Sequence, residues 1–213
     1  MDGIKPLLDG YKAYLTVDYR RDEALLRSLA EHGQSPRAMV ISCCDSRVEP
    51  SAVLGTIPGD LFVVRNVANL IPPYLDDSRH HGTSAALEFA VTSLEVPHII
   101  IMGHAMCGGI KALIEGSVDE SGGSTFIANW MSIAREAKDS VICNGHDHEK
   151  VQEEVEKAAI LHSLKNLMTF PFIKQRVEAG KLQLHGWYFD FSSGELLGYD
   201  KDHDGFINLT ANL

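Results

Sequence analysis

Four cysteines in 213 residues are too few to staple a chain of this length, so a disulfide scaffold is excluded. In a chain without a leader, such thiols more often bind metal or catalyse. The opening Met1-Asp2-Gly3-Ile4-Lys5-Pro6 has no signal-peptide character, and a reducing cytoplasm is the expected address. Apolar runs stay far below the ~20 residues that a membrane span needs. Positive charge is scarce, with 19 Lys and Arg against 29 Asp and Glu and a net charge of -10. That balance argues against nucleic acid and against an anionic membrane surface as partners. Internal repeats, low-complexity tracts and shifts of composition are missing too. The expectation is one domain over 1–213, with a helical arm at 1–32 and an α/β core at 33–213.

What is present is a hydrophobic content of 45%, enough for a sizeable core. Two short apolar runs end in soft metal ligands. Ala38-Met39-Val40-Ile41 leads into Cys43-Cys44-Asp45-Ser46-Arg47, and His98-Ile99-Ile100-Ile101-Met102-Gly103 leads into His104-Ala105-Met106-Cys107-Gly108-Gly109. Such runs predict buried strands, with polar groups at their C-terminal ends. Further strands are expected at Leu61 to Arg65, Leu182 to Phe189 and, antiparallel to the latter, Glu195 to Tyr199. Helical spacing predicts helices within 6–32, from Thr83 to Leu94, from Cys107 or Gly108 to Ile114, from Phe126 to Ala137, from His148 to Met168, and from Phe172 to Glu178. Val48 to Leu54 reads as a short helix, 116–124 as a surface loop. Strands alternating with helices predict an α/β fold. Its sheet is expected to be mainly parallel, of about four strands plus an antiparallel edge strand.

In such a sheet, sites form beyond the strand ends. Cys43, His104 and Cys107 together offer the sulfur and nitrogen donors of a zinc site, one ion per chain, with a fourth position left for water. Cys44 could add a fourth thiol, but adjacent side chains on a strand point to opposite faces, so it is expected to pack away. Asp45 lies two residues from a ligand, and Arg47 can hold it in a bidentate pair. Zinc makes water acidic near neutral pH, and an ionised carboxylate beside it can accept the proton. Cys107 at a helix start would have its thiolate favoured.

Cys43-x-Asp45-Ser46-Arg47 with His104-x-x-Cys107-Gly108-Gly109 resembles the β-class carbonic anhydrases. Phe62-Val63-Val64-Arg65-Asn66-Val67-Ala68-Asn69 and Ile110-Lys111 match as well, and the likeness runs from about Gly33 to Tyr199. It implies zinc-dependent reversible hydration of CO2 to bicarbonate and a proton, by zinc-bound hydroxide. It also implies a homodimer or higher oligomer such as a tetramer, a cleft shared between subunits, and an N-terminal arm that embraces the partner. Gly33-Gln34-Ser35-Pro36 matches the plant-type subgroup, which gives Gln34 a contact to substrate oxygen. Phe62, Val67 and Gly108 match cleft positions, and Phe89 stands where the plant pattern has Tyr, so a hydroxyl is missing there. Another subgroup binds inhibitory bicarbonate on Trp, Arg and Tyr; this chain has Val40, Arg65 and Phe189 instead. No such pocket is expected, and Asp45 should stay paired with Arg47. Rival readings are a hydrolase of carbonyl sulfide or carbon disulfide, and a non-catalytic zinc-stabilised module.

Smaller signals read as ordinary structure. His146-Asp147-His148 is expected to be a solvated loop with Asp147 as helix cap. Asp200-Lys201-Asp202-His203-Asp204-Gly205 begins like a calcium loop, but Ala211 at the last position cannot ligate, so a polar turn is expected. His80-His81 reads as an exposed loop pair, and Trp130 and Trp187 as core or interface anchors.

Overall fold

A computed structural model describes residues 3–77, 79–117, 125–143 and 150–211. The loop at 118–124 and the His146-Asp147-His148 stretch fall outside the described residues.

Six strands form one sheet in the order β2-β1-β3-β4-β5-β6. They are β1 (Ala38–Cys43), β2 (Leu61–Asn66), β3 (His98–His104), β4 (Gln183–Asp190), β5 (Glu195–Asp200) and β6 (Gly205–Asn208). The first four pair in parallel and the last two antiparallel. Every residue of β1 is buried, as a central parallel strand covered on both faces requires. Met39 and Ile41 enter one cluster with Leu87, Val91, Ile160 and Phe170. Ala38 and Val40 point the other way, into a cluster with Val48, Ile100 and Met102.

The helices are α1 (Lys5–Thr16), α2 (Asp18–His32), α3 (Pro50–Val53), α4 (Gly82–Glu88), α5 (Gly108–Ile114), α6 (Thr125–Met131), α7 (Arg135–Cys143), α8 (Val151–Leu167) and α9 (Pro171–Glu178). Phe89–Ser93 continue α4 as a π-helical turn. Two glycines let α8 lie close on the sheet. A Cβ on Gly103 would stand 2.6 Å from Ile160, and one on Gly186 2.8 Å from it.

One detail differs from the sequence reading. A sixth strand follows the expected fifth, because the turn at 201–204 folds Gly205–Asn208 back onto β5. The buried face of α8 carries Val155, Ala159, Ile160 and Leu167, while Leu161 and Leu164 sit only half buried. The arm, α1 and α2, buries none of its residues within the chain. Leu7 is 73% exposed and Tyr11 57%, an apolar face left uncovered by the described residues.

Candidate metal centre

β1 and β3 are adjacent and parallel, so Cys43 and His104 end side by side. Beyond β3, Met106 adopts φ +55°, which turns the chain sharply enough to bring Cys107 back beside His104. Ala68 and Asn69, just past β2, also have positive φ. Such strain in non-glycine residues collects at functional sites. Here it brings the Ala68 amide to 3.3 Å from Cys43 Sγ, where it donates to the sulfur. The ligand atoms of Cys43, His104 and Cys107 all lie within 4.8 Å of one another.

This donor set fits a zinc ion. His104 Nδ1 donates to the Ala105 carbonyl at 2.8 Å, which leaves the lone pair on Nε2. Nε2 is buried and makes no hydrogen bond. Burial without a partner is costly for such an atom, and a cation removes the cost. The sulfurs point the same way. The Cys43 thiol is held well below the ordinary thiol range, chiefly by a hydrogen bond with Cys107 that outweighs burial. Cys107 is pushed far up, first by that same hydrogen bond and then by burial. A divalent cation is what allows both sulfurs to ionise together.

Asp45 and Arg47 form the expected pair. Asp45 Oδ1 accepts from Arg47 Nε at 2.9 Å and from its backbone N–H at 3.0 Å, and Oδ2 accepts from Nη2 at 2.7 Å. These bonds hold the carboxyl well below the usual range, against some burial. Asp45 Oδ2 stands 4.0 Å from His104 Nε2. Arg47 Nη2 also donates to the Met106 carbonyl at 3.0 Å, tying the two motif loops together.

Two residues not singled out for this role brace the site. Arg65 on β2 donates to the carbonyls of Cys43 (3.0 Å), Asp45 (2.8 Å) and Val48 (2.7 Å), and to Glu49 at 2.9 Å. The arginine of the other subgroup's anion pocket is thus engaged here in holding the loop that carries Asp45. Glu156 on α8 is 3% exposed, and burial raises its pKa. Its carboxyl accepts from the Cys107 amide (2.7 Å), Gln152 (2.9 Å) and the Tyr188 hydroxyl (2.8 Å).

The remaining candidates divide by position. Val67 follows Asn66, the register partner of Cys43, and Gly108 follows Cys107; both lie beside the cluster. A Cβ on Gly108 would meet open space, whereas one on Gly109 would stand 2.9 Å from Val67. Phe62 pairs in register with Met39. That is four residues before Cys43, or about 13 Å along the strand. The Phe89 ring lies tilted against Phe62, centroids 5.9 Å apart, and Gln34 is exposed in the loop before β1. Within one chain these three are not gathered at the metal cluster. β2, which carries Phe62, is an edge of the sheet.

A cavity of about 700 Å³ opens beside Val67, lined also by Cys44, His80, His81, Phe126 and Trp130. Cys44, just past the end of β1, is exposed there rather than packed away as expected. His81 Nε2 lies 2.7 Å from Asp77. Trp130 donates its indole N–H to the Val67 carbonyl at 2.7 Å. The acidic stretch after β5 is a turn, closed by the Asp202 amide on Asp200 and the Tyr199 hydroxyl on Asp204.

Comparison with known proteins places these observations in a family. A family model described as carbonic anhydrase matches residues 38–196. Beta carbonic anhydrase 5, chloroplastic, of Arabidopsis thaliana is 45% identical over 184 residues, covering 85% of this chain and 60% of that protein. This chain therefore spans less than two thirds of that relative. Beta carbonic anhydrase 3 of the same plant is 37% identical over 199 residues, covering 91% and 76%. Among solved structures, the β-carbonic anhydrase CcaA superposes with a TM-score of 0.91 at 33% identity, over 100% of this chain and 95% of that one. A structure from work on two tetrameric β-carbonic anhydrases of Sordaria macrospora gives 0.79 at 26% identity, over 93% and 97%.

Proposed function

The chain belongs to the β-class carbonic anhydrases, on the plant-type side, and from that premise we propose that it hydrates CO2 reversibly to bicarbonate and a proton. The observation that carries this reading is the juxtaposition of the buried, unpartnered His104 Nε2 and two sulfurs with the Asp45–Arg47 pair. Cys43, His104 and Cys107 hold one zinc ion. Zinc, when bound, supplies the Lewis acidity that makes water nucleophilic near neutral pH.

The chain's own groups do the rest. Asp45 takes up a proton at Oδ2, the oxygen nearest His104, and Arg47 keeps that carboxylate ionised and aimed. A structural zinc would need neither residue. Val67 offers CO2 an apolar wall, and the backbone at Gly108 offers N–H groups to its oxygens. Gln34, Phe62 and Phe89 complete the cleft from a second copy. Their distance from the metal cluster within one chain supports that reading, as does the exposed edge of β2, where Val63 is 37% exposed. The uncovered apolar face of α1 fits an arm laid on the partner, and the tetrameric fungal relatives support a homodimer or a tetramer. No helix among the described residues is long and apolar enough to cross a membrane. Thiol ligands and two exposed free thiols suit a reducing compartment, and we assign the cytoplasm.

Stopped-flow assays with CO2 and with carbonyl sulfide on one preparation test the assignment. Fast CO2 hydration with negligible carbonyl sulfide turnover is expected. The reverse order would transfer the chain to the analogue hydrolases, and silence with both gases would favour the non-catalytic module.

A further inference from the structure

Resting on that reading, we infer that Phe191 is a positioning residue, which holds the Arg47 guanidinium and, through it, Asp45. It lies outside every motif discussed above. Phe191 follows β4 directly, and its backbone is fixed on both sides. Asp190 accepts from the Ser192 amide at 2.8 Å and from the Ser192 and Ser193 hydroxyls at 2.6 and 3.0 Å. The Phe189 carbonyl accepts from the Ala105 amide at 3.0 Å, which ties the end of β4 to the loop carrying the metal ligands.

From that anchored position the ring meets two groups of the site. Arg47 Cζ stands 4.5 Å from its centroid, and the His104 ring lies 6.1 Å away. A guanidinium makes its hydrogen bonds in its plane and presents flat faces above and below. The in-plane bonds of Arg47 run to Asp45 and Met106. They set where the group points and leave it able to tilt, since the side chain is 45% exposed. The Phe191 ring beneath Cζ restrains that freedom. The consequence reaches Asp45, whose Oδ2 has Arg47 Nη2 on one side and His104 Nε2 4.0 Å away on the other. With Arg47 tilted, the carboxylate can rotate towards the metal ligands, where it would compete with water. Phe191 packs on the same cluster as Val40 and Met102, so a purely structural role is the alternative to be separated.

The experiment compares Phe191→Leu, which fills similar volume without a π face, with Phe191→Tyr, which keeps the ring. Nitrogen-15 NMR of the side chains reads the contact itself. An upfield ring-current shift of the Arg47 Nε proton is expected in the wild type and in Phe191→Tyr, and its loss in Phe191→Leu. At unchanged zinc content, Phe191→Leu should lower kcat/KM for CO2 roughly 3- to 10-fold, and Phe191→Tyr should restore it. In an Arg47→Ala background Phe191→Leu should cost nothing further, because its effect passes through Arg47. Phe191→Met serves the same comparison if the leucine variant does not fold. An absent ring-current shift, an equal loss in the Arg47→Ala background, or a loss that tracks zinc content would each overturn the inference. A wild type inactive on CO2 would refute the proposed function instead, and the ring-current shift would still decide the contact.

Discussion

Replacing Glu156 by alanine should weaken both the fold and the metal site, and replacing it by glutamine should do little. Alanine leaves the Cys107 amide and the Tyr188 hydroxyl without their acceptor. Each buried donor left unpaired costs about 1–3 kcal/mol, so the pair amounts to about 2–6 kcal/mol. Alanine also avoids the burial of a carboxylate, a cost visible in the raised pKa of Glu156. That relief is partial, because three donors already compensate the charge. A net loss of about 2–4 kcal/mol follows, with a small cavity added. Glutamine keeps the shape. Its carbonyl still accepts from Cys107, and its amide can donate to the Tyr188 oxygen, since a hydroxyl can turn to accept. The glutamine variant should therefore stay within about 1 kcal/mol of the wild type. Groups that orient metal ligands typically contribute about 10- to 100-fold in affinity, and the alanine variant should lose zinc by that factor. Urea unfolding at fixed zinc and competition against a chelator measure the two effects. An alanine variant as stable as the glutamine one, with equal zinc affinity, would refute this account of Glu156.

Asp45→Ala should keep its zinc and its melting temperature and lose about 100- to 10,000-fold in CO2 hydration, the range of a removed acid–base group; full activity would point to a non-catalytic pair. Leu7→Asp combined with Tyr11→Asp places two charges on the uncovered face of α1 and should shift sedimentation towards the monomer, with activity falling alongside; unchanged assembly would detach the arm from the interface. His185 is held below the usual imidazole range by burial, then by His98, 3.1 Å away, and by Lys201. A base depressed in this way leaves stability complete above its ordinary pKa of 6.5 and loses it as pH falls. His185→Gln should therefore lessen the drop in urea midpoint between about pH 7 and 5, and an unaltered slope would contradict the assignment.

The sequence made the metal cluster readable because its ligands follow two strongly apolar runs, and neighbouring parallel strands end together. The Asp45–Arg47 pair was readable for a local reason, as two residues apart is within reach of one side chain. Phe191 and Glu156 were not. Phe191 is placed by the turn on Asp190, and Glu156 sits in a helix whose polar residues look alike until its packing is known. The Gln152–Glu156 spacing, on a face shared with Val155 and Ala159, is the one hint, and it says nothing of Cys107. β6 was hidden because a four-residue strand after an acidic turn has too short a pattern to register. The cleft candidates show a different boundary. Motif matching names Gln34, Phe62 and Phe89, and it carries no spatial information: the strand register separates Phe62 from Cys43 within one chain.

The most direct test of the central claim is zinc reconstitution with activity and metal measured on the same sample. Protein stripped by a chelator and titrated with zinc should regain CO2 hydration in proportion to bound metal, reaching a plateau at one ion per chain. Cys43→Ser should neither retain zinc nor recover. Hydration that persists in the stripped protein, or zinc bound in full without hydration, would contradict it.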